Sequence, residues 1–300
     1  MSQMKELLKG AYDLHVHSAP DIIPRLMDDT EMAQRIIKAG MAGYTSKSHY
    51  FCTAERAQII NKLNPGCHAI GSITLNNAVG GINPIAVEMA GRAGTKQVWF
   101  PTCDCAHEQK HTFSGGHGDK LPYWAQVAIQ MKEEGIDSPG ISILDDKGRL
   151  TKETHDVLDV IAKFKMILCT SHIPHEEAFA LVKAAKEDHK VEHIIITHVD
   201  FPTTFYTVDE QKEFARYGAY MEHCYTTYAT KKVAFETTLE QIRAMGADRV
   251  IISTDLGQKT GIYPDEGMLS FVTALWEAGF SEGDIHKMVC ANPKALLGEG

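Results

Sequence analysis

Two histidines one residue apart, in Asp13-Leu14-His15-Val16-His17, close the first short apolar run of the chain. Side chains of a strand alternate with period two, so imidazoles at i and i+2 leave the same face and can grip one ion together. Three later runs also end in residues that bind metals: the fifth in His172, the sixth in His198 and the eighth in Asp255. Nitrogen and carboxylate ligands at four strand ends outline a site for a divalent cation. Zinc is the first expectation, with manganese and iron as alternatives and one ion or two both open.

Such ligands need a scaffold that gathers strand ends. Eight β-forming runs centre near positions 14, 45, 71, 98, 168, 195, 220 and 251. Most steps are about 25 to 31 residues, the length of a strand plus a crossover helix. Amphipathic stretches fill most gaps: EMAQRIIKAG, AERAQIINKL, PIAVEMAGRAG, HDVLDVIAKFK, EEAFALVKAAKE, EQKEFARYG and ETTLEQIRAMG. The pattern is α/β and predicts a (β/α)8 TIM barrel, in which active residues collect at the C-terminal ends of the strands.

One interval is long. About 70 residues separate runs four and five where about 27 would suffice, an excess typical of a lid or binding loop. One barrel domain over 1–300 is therefore expected, with about 103–150 inserted between strands 4 and 5. This segment holds CDCAHEQKHTFSGGHGDKLPYW, a predicted helix from about Trp124 to Glu134 and a candidate hairpin in ISILDDKGRL. Gly115, Gly116 and Gly118 are expected to make its middle flexible.

A composition of 44% hydrophobic and 23% charged residues supports a full core, and the net charge of -9 argues against nucleic acid. The opening MSQMKELLKG lacks the apolar region of a secretion signal, and no run reaches membrane-span length. Seven scattered cysteines suit a reducing compartment, so a cytoplasmic protein with a small-molecule substrate is expected. A homo-oligomer is left open.

His-x-His on strand one, histidines after strands five and six and aspartate after strand eight together resemble the amidohydrolase superfamily, metal-dependent hydrolases built on a (β/α)8 barrel. The ending Ala291-Asn292-Pro293-Lys294-Ala295-Leu296-Leu297-Gly298 is similar to the Asn-Pro-x-x-Leu-Leu-Gly segment that closes many of those barrels. The chain starts directly at strand one, so it looks like a compact, barrel-only subgroup. The resemblance implies His15, His17, His172, His198 and Asp255 as metal ligands. Binuclear members commonly carry a lysine or glutamate at the end of strand four. Here that strand reads Gln97-Val98-Trp99-Phe100-Pro101-Thr102-Cys103-Asp104 and has neither. Lys47, after strand two, is the substitute: desolvation and nearby cations would deprotonate it, and its amine could add carbon dioxide to give a bridging carbamate. The competing reading is a metal-free lysine that binds an anion or makes an ion pair.

With such ligands the expected reaction is hydrolysis of an amide, lactone, ester or related bond by metal-activated water. Asp255 would carry protons, and His198 or His172 would support developing charge. No Gly-x-Ser-x-Gly elbow offers a serine route. Arg25, Lys259 and Tyr263 are candidate substrate-binding residues at the barrel mouth, with Tyr225, Tyr228 and Lys231 a further cluster. His49 and His223 read as supporting or ordinary residues. Cys103, Cys105, His107 and His111 have the content of a small zinc site but no standard spacing, and Asp104 could ligate or orient. Cys169 and Cys224 read as core thiols. Three alternatives stand: a mononuclear decarboxylase of the same superfamily; a phosphoesterase of the polymerase-and-histidinol-phosphatase type, whose seven-stranded barrel eight runs disfavour; and a non-enzymatic binding protein.

Overall fold

The eight apolar runs form eight strands: β1 Tyr12–Val16, β2 Gly43–Ser46, β3 His68–Thr74, β4 Gln97–Trp99, β5 Ile167–Cys169, β6 His193–Ile196, β7 Tyr220–Cys224 and β8 Val250–Ser253. The computed structural model describes residues 6–114 and 121–299. Neighbouring strands pair in parallel in the order β1 to β8. At the seam His17 N donates to Leu256 O and Asp255 N donates to His15 O, both at 2.8 Å. The sheet thus closes on itself as the expected (β/α)8 barrel. The seam bonds also fix the backbones of three candidate ligands against one another.

Each predicted amphipathic stretch is a helix. Asp29–Ala39 is representative: the Asp28 side chain accepts from Glu31 N, Gly40 ends the helix at φ 74°, and Met32, Ala33 and Ile36 are buried. An N-cap of this kind contributes about 1 kcal/mol. Burial of each large apolar side chain contributes about 1.5–3 kcal/mol more.

Two apolar layers result. Tyr12, Leu14, Ile70, Trp99, Ile167, Ile195 and Ile251 fill the barrel with Leu296 and Leu297. Val16, Tyr44, Val98, Leu168, Ile194 and Met221 pack outward against the helices. The Asn-Pro segment thereby plugs the barrel floor. Its Asn292 Nδ2 donates to Ala247 O and Val250 O at 2.7 Å each.

The β1–β2 register slips between Asp13 and Val16, three steps along β1 matching two along β2. A bulge of this kind re-aims side chains. Tyr12 and Leu14 lie in the inner layer and Val16 in the outer, so the slip is what lets His15 join Leu14 on the inner side, with His17 following.

Between β4 and β5 the chain forms helices Ala106–Phe113 and Tyr123–Glu133 before the barrel helix Lys152–Lys163. The expected hairpin appears as an antiparallel bridge between Leu144 and Leu150, and a bridge between Cys105 and Ile141 ties it down. Gly115, Gly116 and Gly118 lie outside the described residues.

Candidate metal centre

His15 and His17 each place Nε2 at 3.2 Å from Asp255 Oδ1. Their other ring nitrogens are engaged: His15 Nδ1 lies 3.2 Å from Glu222 Oε2, and His17 Nδ1 lies 3.1 Å from the Lys47 carbonyl oxygen. Both acceptors call for a proton on Nδ1, which leaves each Nε2 a bare lone pair. Three acceptor atoms then converge; Lys47 Nζ reaches one of them, His15 Nε2, at 2.9 Å, and a cation placed among the three would satisfy all of them. Ligands of one zinc-sized ion stand about 3–3.5 Å apart, and acceptors behind the imidazoles are the usual support of metal-binding histidines. The residues therefore fit a divalent ion.

Electrostatics agree. Burial, helped by the Arg25 charge, pulls His17 down to about 3. Burial also holds His198 and His49 well below the ordinary imidazole value. These rings are neutral at pH 7, the form that ligates. Burial would raise Asp255, but the positive surroundings of the site, Lys47 among them, hold it well below the usual carboxylate range. Backbone conformation points the same way: Asp255 and His198 are non-glycine residues at φ 53° and φ 30°. Left-handed conformations of this kind cost about 1–3 kcal/mol and gather at functional sites.

Lys47 is buried. Its Nζ lies 2.9 Å from His15 Nε2 and 4.0 Å from the centroid of the Trp99 ring, and burial lowers its pKa. His172 and His198 form a separate pair, Nε2 to Nε2 at 3.2 Å. His198 Nδ1 lies 3.4 Å from Thr204 Oγ1, and His172 Nδ1 lies 3.0 Å from Glu108 Oε2. Burial opposes ionisation of Glu108, but the contact with His172 and the hydrogen bond from Thr203 together outweigh it and bring the carboxyl down to about 2. His15, His17, Lys47, His49, His172, His198 and Asp255 line one cavity of about 320 Å³, roofed by Pro122, Tyr123 and Trp124 from the long segment.

The predicted substrate residues divide. Arg25 lines the cavity, its Nε donating to Asp21 Oδ2 at 2.8 Å. Lys259 and Tyr263 lie farther out. Lys259 is exposed, and neither residue is among those lining the cavity. The loop after β8 bends back to bridge Gln258 to Arg25, and Tyr263 begins the next helix with its hydroxyl on Glu31. Lys231 and Lys232 are both exposed, and of the two Lys232 lines the cavity. Asp104 accepts from Asn77 N and Ser138 Oγ, which makes it a loop fastener. His107 contacts the Thr203 carbonyl. Among the described residues, the metal-capable groups of three are His15, His17 and Asp255, and His15, Glu222 and Cys224, with no Cys103–His111 cluster.

Sequence reasoning missed Glu222, fully buried at the base of the site, although a lone glutamate within the apolar run AYMEHCY was a visible anomaly. It passed over His49, whose ring stacks on His17 at 4.9 Å between centroids. His223 faces Asp200, its Nδ1 3.1 Å from Oδ2, and is not among the residues lining the cavity.

No curated protein sequence matches the chain. Solved structures do. The probable dipeptidase PvdM from Pseudomonas aeruginosa superposes with a TM-score of 0.65 at 11% identity, over 99% of this chain and 96% of its own. An amidohydrolase from the same organism gives 0.56 at 11% identity, over 99% and 98%. The 2,6-dihydroxybenzoate decarboxylase from Rhizobium gives 0.53 at 13% identity, over 97% and 99%. At such identities the likeness establishes the fold alone, a (β/α)8 barrel. In sequence, residues 10–222 match one family model, and the chain belongs to that family, DUF6282, a family of unknown function.

Proposed function

We propose that this protein is a metal-dependent hydrolase that cleaves an amide, lactone, ester or related bond of a small molecule. The observation that carries the reading is the convergence of His15 Nε2 and His17 Nε2 on Asp255 Oδ1 with both Nδ1 atoms already engaged. His15, His17 and Asp255 would hold one divalent ion, with zinc the first choice. His198 and His172 are candidates for further ligation. A bound ion supplies Lewis acidity and an acidified water.

The chain supplies the rest. Asp255 is ionised at neutral pH, and its Oδ2 is braced by Thr226 Oγ1 at 3.2 Å, so that oxygen can take a proton from the attacking water and return it to the leaving group. His198 Nε2 faces the cavity, where it can support charge developing on the substrate. Lys47 remains the bridging candidate: its neutral amine would add carbon dioxide and release a proton, and the resulting carbamate would offer two oxygens to a bound ion. The segment 103–150, which lays Tyr123 and Trp124 over the cavity, serves as a lid that excludes water. The seven unpaired thiols support a reducing, cytoplasmic setting.

A second reading is kept because the end of β4 offers no bridging residue: a mononuclear decarboxylase, a chemistry named in one of the similar structures. Elemental analysis, followed by a screen of amides, lactones, esters and phosphoesters with carbon dioxide detection on candidate acids, separates the two. Hydrolysis that needs metal supports the proposal. Metal-dependent release of carbon dioxide without hydrolysis replaces it.

A further inference from the structure

The charge of the cavity bears on its substrate, on the reading just proposed. The protein as a whole carries -9, yet Arg25 and Lys232 line this cavity with a single native carboxylate, Asp255, beside Lys47, which belongs to the ligand cluster. The histidines add no negative charge, and a divalent ion would increase the positive excess. Lys47 is committed to the ligand cluster through His15. Arg25 is half spent, because Asp21 holds its Nε and a terminal nitrogen at 2.8 and 2.6 Å. Lys232 has no carboxylate partner among the described residues. Its Nζ sits 4.1 Å from the centroid of the Phe201 ring, beside Tyr123 and Trp124 from the lid.

We infer that Lys232, with Arg25 beside it, forms a carboxylate-binding subsite at the mouth of this cavity, and that the substrate is a small carboxylic acid carrying a planar ring. A cavity of about 320 Å³ is at the small end of ligand pockets, which limits the occupant to roughly one ring and its substituents. Phe201, Tyr123 and Trp124 present flat apolar walls to such a ring. One free ammonium and a partly used guanidinium match a monoanion better than a phosphate dianion, which calls for more donors. A cation stacked on Phe201 is also held in place before the ligand arrives.

The test uses the metal-loaded full chain, with Trp124 fluorescence and calorimetry as readouts and benzoate, its neutral isostere benzamide and phenyl phosphate as probes. Benzoate should bind at least about tenfold tighter than benzamide and tighter than phenyl phosphate. Lys232→Met should weaken benzoate about tenfold, leaving benzamide binding and metal content unchanged. Equal binding of benzoate and benzamide, no binding of benzoate, or full benzoate affinity in Lys232→Met overturns the subsite. A preference for phenyl phosphate reassigns it to phosphate esters and overturns the carboxylate. Metal content measured on the same samples keeps the two claims apart: absent metal defeats the hydrolase reading, whereas bound metal without anion preference defeats this one alone.

Discussion

Glu222 gives the sharpest quantitative handle on the site. Its Oε2 lies 3.2 Å from His15 Nδ1 and accepts from His198 N at 3.2 Å, while Oε1 has no partner and the side chain is fully buried. It therefore fixes the tautomer of one proposed ligand and the backbone of another. Carboxylates in this role typically contribute 10- to 100-fold, about 1.4–2.7 kcal/mol, to metal affinity. The 3.2 Å separation exceeds the 2.7–2.9 Å of strong charge-assisted bonds, which places the effect at the lower end. Glu222→Gln retains an acceptor oxygen and loses the charge, so zinc affinity should fall about tenfold. Glu222→Ala strands the His15 donor and should cost a further 1–3 kcal/mol, roughly, in folding stability. Competition with a chromophoric chelator reads the first effect and urea unfolding of the metal-free protein reads the second. Zinc affinity within twofold of wild type in a folded Glu222→Ala protein, which has no acceptor for His15 Nδ1, would refute the tautomer assignment, and with it the geometric case for His15 as a ligand.

Other predictions follow from the same geometry. Asp255→Asn keeps the shape but cannot take a proton, so turnover should drop by about two orders of magnitude with a smaller change in KM; near wild-type turnover would make Asp255 structural. Lys47→Ala should lose metal or activity, with partial rescue by short-chain acids if a carbamate bridges; a free ammonium in a metal-loaded crystal structure would reject the carbamate. Stability of the metal-free protein should fall on acidification. His17, His49 and His198 have folded pKa values below the unfolded 6.5, so the folded state refuses protons that the unfolded chain accepts, and stability present above pH 6.5 is lost as pH falls. His17 alone accounts for about 2 kcal/mol between pH 6.5 and 5. Asp13 acts oppositely: burial lifts it to about 7, so its contribution is fully present below 3.8 and fades as pH rises through 7. Three imidazoles outweigh one carboxyl, and a urea midpoint at pH 5 equal to that at pH 7 would show that these rings are not buried neutral.

The barrel and the His15, His17, His198 and Asp255 positions were readable in the sequence because each rests on a local signal: a β-forming run, its period and the residue at its end. Other features depend on phase or on distant loops. Strand periodicity alone puts His15 and Leu14 on opposite faces, and the slip between Asp13 and Val16 reconciles them only through pairing with β2. Glu222 and His223 are adjacent, and only the barrel decides that the glutamate faces in. Lys232 and Trp124 lie in connections with no repeating pattern, where position follows from tertiary packing. Lys259 and Tyr263 lie in such a connection too, and the bridge between Arg25 and Gln258 leaves Gln258, not its neighbour Lys259, among the residues lining the cavity.

The central claim is a metal centre held by β1 and the end of β8. Its most direct test is elemental analysis of the protein purified without added chelator, beside the His15→Ala, His17→Ala double variant. The wild type should carry about one or two equivalents of a divalent transition metal. The double variant should carry almost none while keeping its circular dichroism and cooperative unfolding, because the barrel core does not depend on those rings. Equal metal content in the two proteins, or none in wild type even after incubation with zinc, manganese or iron, would contradict the account.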